Sequence, residues 1–253
     1  NWKANGGTTS TIAVDSVSSG VPSIASSVQA NTTAGFSIVT YSGNADASAT
    51  IGHGLQVNGV ATTPKIIFVK QRDEAGNWIV FTETTGKDNK LNLNATTANA
   101  TSALFNNADP TSTVFSVKDT STEDTFGDGH TYVAYCFADV EGYSKFGSYT
   151  GNGDGDGSFV YTGFSPAFII TKCSSHASTN WFLHDQVRNP INPANINMHP
   201  NLPNVEGSVT TTHHIDILSN GFKPRGTGAE INGLNRNYIY MAFGSSFKYA
   251  NAR

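Results

Sequence analysis

One pattern of residues returns about 105 positions downstream in the same order, and this internal repeat constrains the fold more than any other feature. Tyr41-Ser42-Gly43-Asn44 returns as Tyr149-Thr150-Gly151-Asn152, and Gly54-Leu55 as Gly163-Phe164. Pro64–Lys70 returns as Pro166–Lys172, and Asn77-Trp78-Ile79 as Asn180-Trp181-Phe182. Val114-Phe115-Ser116 returns near Gly221-Phe222-Lys223, and Tyr132–Ala138 as Tyr238–Gly244. The offsets run from 102 to 109, the spread that insertions and deletions in loops between equivalent strands produce. Gln56–Thr62 is such an insertion in the first copy.

Within each copy the residues read as strands. Phe36–Tyr41, Thr50–Leu55, Lys65–Lys70, Trp78–Glu83, Lys90–Asn94, Val114–Lys118 and Thr131–Ala138 are short and rich in β-branched and aromatic residues. Gly, Asn, Asp and Pro clusters separate them. No segment holds a 3.6-residue apolar period for 12 residues. About seven strands per 100 residues is the density of a β-sandwich. Ile66–Val69 and Val133–Phe137 are near-continuous apolar runs, which predicts central strands covered on both faces. The expected fold is therefore all-β: two tandem β-sandwich-like repeats in pseudo-symmetric contact, residues 36–140 and 141–253. Residues 1–35, nearly all Gly, Ser, Thr, Asn, Ala and Val, read as an extended connector with room for weak strands at Thr11–Val14 and Val28–Thr32. One fused sandwich sharing strands between the copies is the alternative.

Composition narrows the functional classes. The chain has 253 residues, only 13% of them charged, and a net charge of −4. That leaves no basic surplus to neutralise phosphates, which argues against nucleic acid as a partner. No apolar run approaches the length of a transmembrane helix, so no membrane insertion is expected. Thr, Ser and Asn number 29, 25 and 25, and such a surface is suited to hydrogen bonding. The two cysteines, Cys136 and Cys173, are too few for a disulfide framework; buried thiols are expected, with a single bridge as the alternative. The chain opens on Asn1-Trp2-Lys3 with neither Met nor a signal peptide, which reads as a processed chain or part of a longer one.

Few residues point to chemistry. Asn152-Gly153-Asp154-Gly155-Asp156-Gly157 resembles the start of a calcium loop, with oxygen ligands at alternate positions and Gly at the sixth. Asn152, Asp154 and Asp156 are thus candidate Ca²⁺ ligands, although Gly163 stands where a bidentate Glu is wanted. The bland reading is an acidic turn between strands. His213 and His214, beside Asp216, would point to opposite faces of a strand and could not chelate one ion together. Asp73, Glu74, Glu83, Asp124, Asp128, Asp185 and Glu206 could in principle supply paired carboxylates for glycoside hydrolysis, but separation in space decides that chemistry. No nucleophile elbow, phosphate loop or dinucleotide fingerprint occurs, and the chain reads as non-enzymatic, with no catalytic or cofactor-binding residues. Trp78 and Trp181 are candidate glycan contacts, since an aromatic face stacks on a sugar ring. Their equivalence in the repeat favours packing instead.

Several strings resemble a known group. Trp2–Thr9, Asn31–Tyr41, Tyr132–Lys145, Phe146–Asn152, Phe159–Phe168, Asp216–Lys223 and Tyr238–Phe243 are similar to recurrent segments of structural proteins from marine tailed bacteriophages. The resemblance covers nearly the whole chain. That family is mostly a repeated β domain of unknown function, commonly following a lectin-like segment in long, fibre-like virion proteins. It implies a virion structural protein, part of a tail fibre or other surface appendage, with host-surface glycan as a contact. It also implies other virion proteins as partners and a homo-oligomer, a trimer by analogy. Cys173–Thr179 and Pro190–Glu206 depart from the group and mark the expected variable surface. A capsid or head-fibre decoration protein is one alternative, and a secreted carbohydrate-binding protein or polysaccharide depolymerase another.

Overall fold

The computed structural model describes residues 8–14, 21–120, 125–208 and 212–245. The chain is all-β. It divides into two compact units, one of Asn1–Asn92 with Ala100–Ala138, the other of Leu93–Asn99 with Asp139–Arg253.

The first unit holds β1 (Ser10–Ile12), β2 (Ser26–Asn31), β3 (Phe36–Ser42), β4 (Ser48–Gly52), β5 (Gln56–Val57), β6 (Val60–Ala61), β7 (Ile66–Gln71), β8 (Ile79–Thr82), β9 (Asn89–Asn92), β10 (Ala100–Thr101), β11 (Val114–Lys118) and β12 (Thr131–Phe137). Eight of these form an antiparallel sheet in the order β1-β2-β3-β12-β7-β8-β9-β10. The two continuous apolar runs, β7 and β12, lie at its centre, flanked on both sides. β4 and β11 pair as a second sheet. Side chains alternate across a strand, so Val39, Tyr41, Ile67, Val69, Tyr132 and Ala134 share one face and bury a core with Ile51, Phe115 and Val117 of the second sheet. Phe105 meets Phe81 edge-on at 5.3 Å within it.

The connector reading of residues 1–35 needs correction, while the weak strands expected within it are present as β1 and β2. Residues 1–35 are not simply a connector: β2 pairs with β3 over six residues, and β1 pairs with β2. Ser26 and Val28 face inward, and the Ser26 hydroxyl donates to Gly52 O at 2.7 Å. Residues 1–7 and 15–20 of that segment lie outside the described residues. The Gln56–Thr62 insertion is a hairpin, β5 with β6, turned by Asn58-Gly59 at φ 52° and 81°. Two consecutive positive φ angles are what a type I′ turn requires, and Asn-Gly supplies them at least strain.

The second unit holds β13 (Ser144–Thr150), β14 (Val160–Tyr161), β15 (Pro166–Cys173), β16 (Trp181–Asp185), β17 (Ile196–Asn197), β18 (Gly207–Ser208), β19 (Ile215–Leu218), β20 (Gly221–Pro224) and β21 (Asn237–Gly244). One sheet runs β13-β21-β15-β16, another β14-β20-β19. Ile169, Phe182, Tyr240 and Ala242 of the first meet Val160, Ile215 and Phe222 of the second in the core. Within their sheets, β13, β21, β15 and β16 stand in the order that β3, β12, β7 and β8 have in the first unit.

An aromatic triad recurs with its hydrogen bond. Tyr41 stacks on Tyr132 at 5.1 Å, meets Phe115 edge-on, and donates its hydroxyl to Thr125 O at 2.6 Å. Tyr149 stacks on Tyr238 at 4.9 Å, meets Phe222 edge-on, and donates to Ile231 O at 2.7 Å. A buried phenol needs such an acceptor. Both cysteines are buried and free, so the single-bridge alternative does not hold. Burial pushes the Cys136 thiol up to about 12.

Candidate functional site

β14 is a two-residue edge strand in which alternation decides the chemistry. Val160 points inward opposite Phe222. Its neighbours Phe159 and Tyr161 therefore point outward, and they are 45% and 65% exposed. Opposite Tyr161 stands Gly221. A Cβ there would lie 2.1 Å from Val160 O and 2.8 Å from Phe159 Cζ, so the Phe159 ring lies across the glycine and no side chain fits beneath it. The next strand, β19, brings Asp216 opposite Lys223.

The acidic turn closes one side of this surface. Asp156 Oδ1 lies 2.7 Å from both Lys223 Nζ and Arg225 Nη1, and Arg225 Nε lies 3.3 Å from Asp216 Oδ2. The hydrogen bond from Lys223 and its charge, then those of Arg225, hold the Asp156 carboxyl below its usual range. Two cations meet two carboxylates, so the fringe is polar but balanced in charge. The outer face of β14, β20 and β19 is thus an aromatic platform beside a row of charged hydrogen-bonding groups.

The candidate calcium ligands do come together, but as a turn. Asp154 N donates to Asn152 Oδ1 at 3.0 Å, and Asp156 N to Asp154 Oδ1 at 2.8 Å. Asn232, fully buried, threads the loop from below: its Nδ2 donates to Asn152 Oδ1, Asp154 O and Gly226 O, and its Oδ1 accepts from Asn152 N. Asp154 Oδ1 is engaged by a backbone N–H, and Asp156 Oδ1 is shared by Lys223 and Arg225, which places positive charge at one of the three candidate ligands. Among the described residues no group of three His, Cys, Asp or Glu side chains could hold a metal ion.

The tryptophans part company. Trp181 is 1% exposed, which removes it as a glycan contact; its position at the start of β16 is a packing position. Trp78 is half-buried and stacked on Tyr135 at 6.1 Å. The candidate acids are held in separate contacts, except that Asp185 and Glu206 meet at one arginine. Glu83 pairs with Lys65, Asp73 accepts from Thr131 N and faces His130, and Asp185 and Glu206 share Arg188. Asp124 lies outside the described residues. His213 stacks on Phe182 and lies 3.2 Å from Glu230, and Asp216 belongs to Arg225. Sequence reasoning missed Phe159, Tyr161, Lys223 and Arg225. The signal for the first two was present: an aromatic–Val–aromatic alternation between Gly157 and Gly163.

Fold and surface together define a class, an all-β two-unit protein with an exposed aromatic and charge-balanced face. The chain belongs to the family described as a domain of unknown function (DUF7483), which matches residues 1–246. No curated protein matches the chain, and no solved structure does.

Proposed function

We propose that the chain is a non-enzymatic structural segment of a phage virion appendage, a tail fibre or similar, that contacts host-surface glycan through the outer face of β14, β20 and β19. The observation that carries the glycan contact is the Phe159 ring laid across Gly221 beside exposed Tyr161, with Asp156, Lys223, Arg225 and Asp216 alongside. Aromatic faces receive the C–H face of a pyranose. Charged side chains give stronger hydrogen bonds to its hydroxyls than neutral ones do. The recurrence of the triad and of the strand order supports reading the two units as copies of one design, and the sequence resemblance supports the virion setting.

A glycan array probed with the full chain tests the contact. Specific binding lost in Phe159→Ala/Tyr161→Ala supports it; binding that survives both substitutions places the contact elsewhere. Release of reducing ends from a bound polysaccharide would replace this reading with a depolymerase. Labelling on intact particles separates appendage from head decoration, and a trimer by light scattering supports the fibre.

A further inference from the structure

The first unit carries a groove that the aromatic face does not involve. It is an open groove of about 390 Å³ at one corner of the eight-stranded sheet, lined by Thr11, Ser27, Thr40, Ser42, Arg72 and Thr131. Ser27 stands opposite Thr40, and Ser42 opposite Thr131. Thr40 and Ser42 are two residues apart on β3, so all four side chains share one face. Arg72 N donates to Thr131 O at 2.8 Å, which seats Arg72 just past the end of β7 beside the same row. The hydroxyls therefore step across β2, β3 and β12 at roughly the 4.8 Å separation of paired strands.

None of these groups is used by the fold. Among the described residues the hydroxyls of Ser27, Thr40, Ser42 and Thr131 have no partner, and no carboxylate pairs with Arg72. The neighbouring Asp73 is engaged elsewhere, accepting from Thr131 N at 2.9 Å and lying 3.6 Å from His130 Nδ1. By contrast, the cations of the aromatic face are each matched by a carboxylate. The geometry points to a second site, for a sugar bearing an oxyanion, a uronate or a sulfate ester. The guanidinium fork matches two oxygens of a carboxylate or sulfate at once. Hydroxyls both donate and accept, as a polyol requires. The groove falls in the size range of small-molecule sites and is several times larger than a bare inorganic anion needs.

The site is independent of the aromatic face, and the experiment keeps the two apart. The full chain is titrated with glucuronate, glucose 6-sulfate, glucose and inorganic sulfate by calorimetry, with Arg72→Gln, Thr40→Val and Phe159→Ala/Tyr161→Ala as variants. Glucuronate or glucose 6-sulfate binds, and which of them does so identifies the oxyanion. Arg72→Gln weakens that binding at least tenfold and Thr40→Val weakens it measurably, whereas the aromatic double variant leaves it unchanged. Arg72 is exposed, so its substitution leaves the fold intact. Glucose binding as well as the acids, sulfate binding as well as the sugars, an unaffected Arg72→Gln, or no binding of either acid overturns the assignment.

Discussion

Each unit contains one fully buried histidine held neutral, and this makes the protein acid-sensitive in a calculable way. His53 accepts from Leu55 N on Nδ1 at 3.0 Å, and its Nε2 lies 3.1 Å from Thr111 O. A second ring proton would face the Leu55 N–H. His184 bonds His213 O through Nε2 at 3.1 Å, and its Nδ1 is buried without a partner. Burial lowers both side chains from 6.5 to about 4, against the opposing pull of those carbonyl bonds. The folded values lie below the unfolded one, so the unfolded chain binds more protons below pH 6.5. Stability is complete above that pH, falls as pH drops through it, and levels off only near 4. Linkage gives a loss of about 2 kcal/mol per histidine by pH 5 and about 3 kcal/mol by pH 4. Urea unfolding at pH 7, 6, 5 and 4 measures it, with His184→Gln and His53→Asn as non-titrating variants. Both variants start less stable at pH 7 but decline less steeply, by about 2 kcal/mol each between pH 7 and 5. A variant that declines in parallel with the parent refutes the reasoning for its unit.

Other substitutions probe the packing and the site. Trp181→Ala costs about 3–5 kcal/mol in urea unfolding, the range for an emptied aromatic core position. Tyr41→Phe and Tyr149→Phe each cost about 1–3 kcal/mol, because each leaves a carbonyl without its donor; similar losses are expected from the matched triads. Asn232→Leu orphans Asn152 N, Asp154 O and Gly226 O and costs about 3 kcal/mol or more, whereas a chelator leaves the unfolding midpoint unchanged. Gly221→Ala forces β14 away from β20 and displaces the Phe159 ring, so glycan binding falls together with stability.

The legible parts of the fold were those whose signal is local. Ile66–Val69 and Val133–Phe137 are apolar on both faces, and their central positions follow from that alone. β2 was legible only as a weak strand at Val28–Thr32, because Ser26 and Ala30 of its inward row are small; its place in the sheet is fixed by pairing with β3, a contact the residues themselves do not announce. The Asn58-Gly59 turn is a local signal of the same kind, since Asn-Gly supplies the two positive φ angles of its hairpin. At the site, the outward pointing of Phe159 and Tyr161 follows from alternation. Lys223 and the glycine beneath Phe159 come from β20, and Arg225 follows its end, some 60 residues downstream, and only register brings them there. The Asn152–Asp156 pattern was legible as an acidic turn for a related reason: spacing shows where oxygens fall along the chain, whereas only the fold brings Lys223 and Arg225 to Asp156.

Both thiols lie inside the protein, unbonded, with Cys136 surrounded by apolar side chains that keep it protonated at any ordinary pH. The native covalent structure is therefore the same in a reducing compartment as in an oxidising one. A chain built this way can be made, folded and assembled in one redox environment and then used in another, with no bond to form on the way and none for the second environment to break.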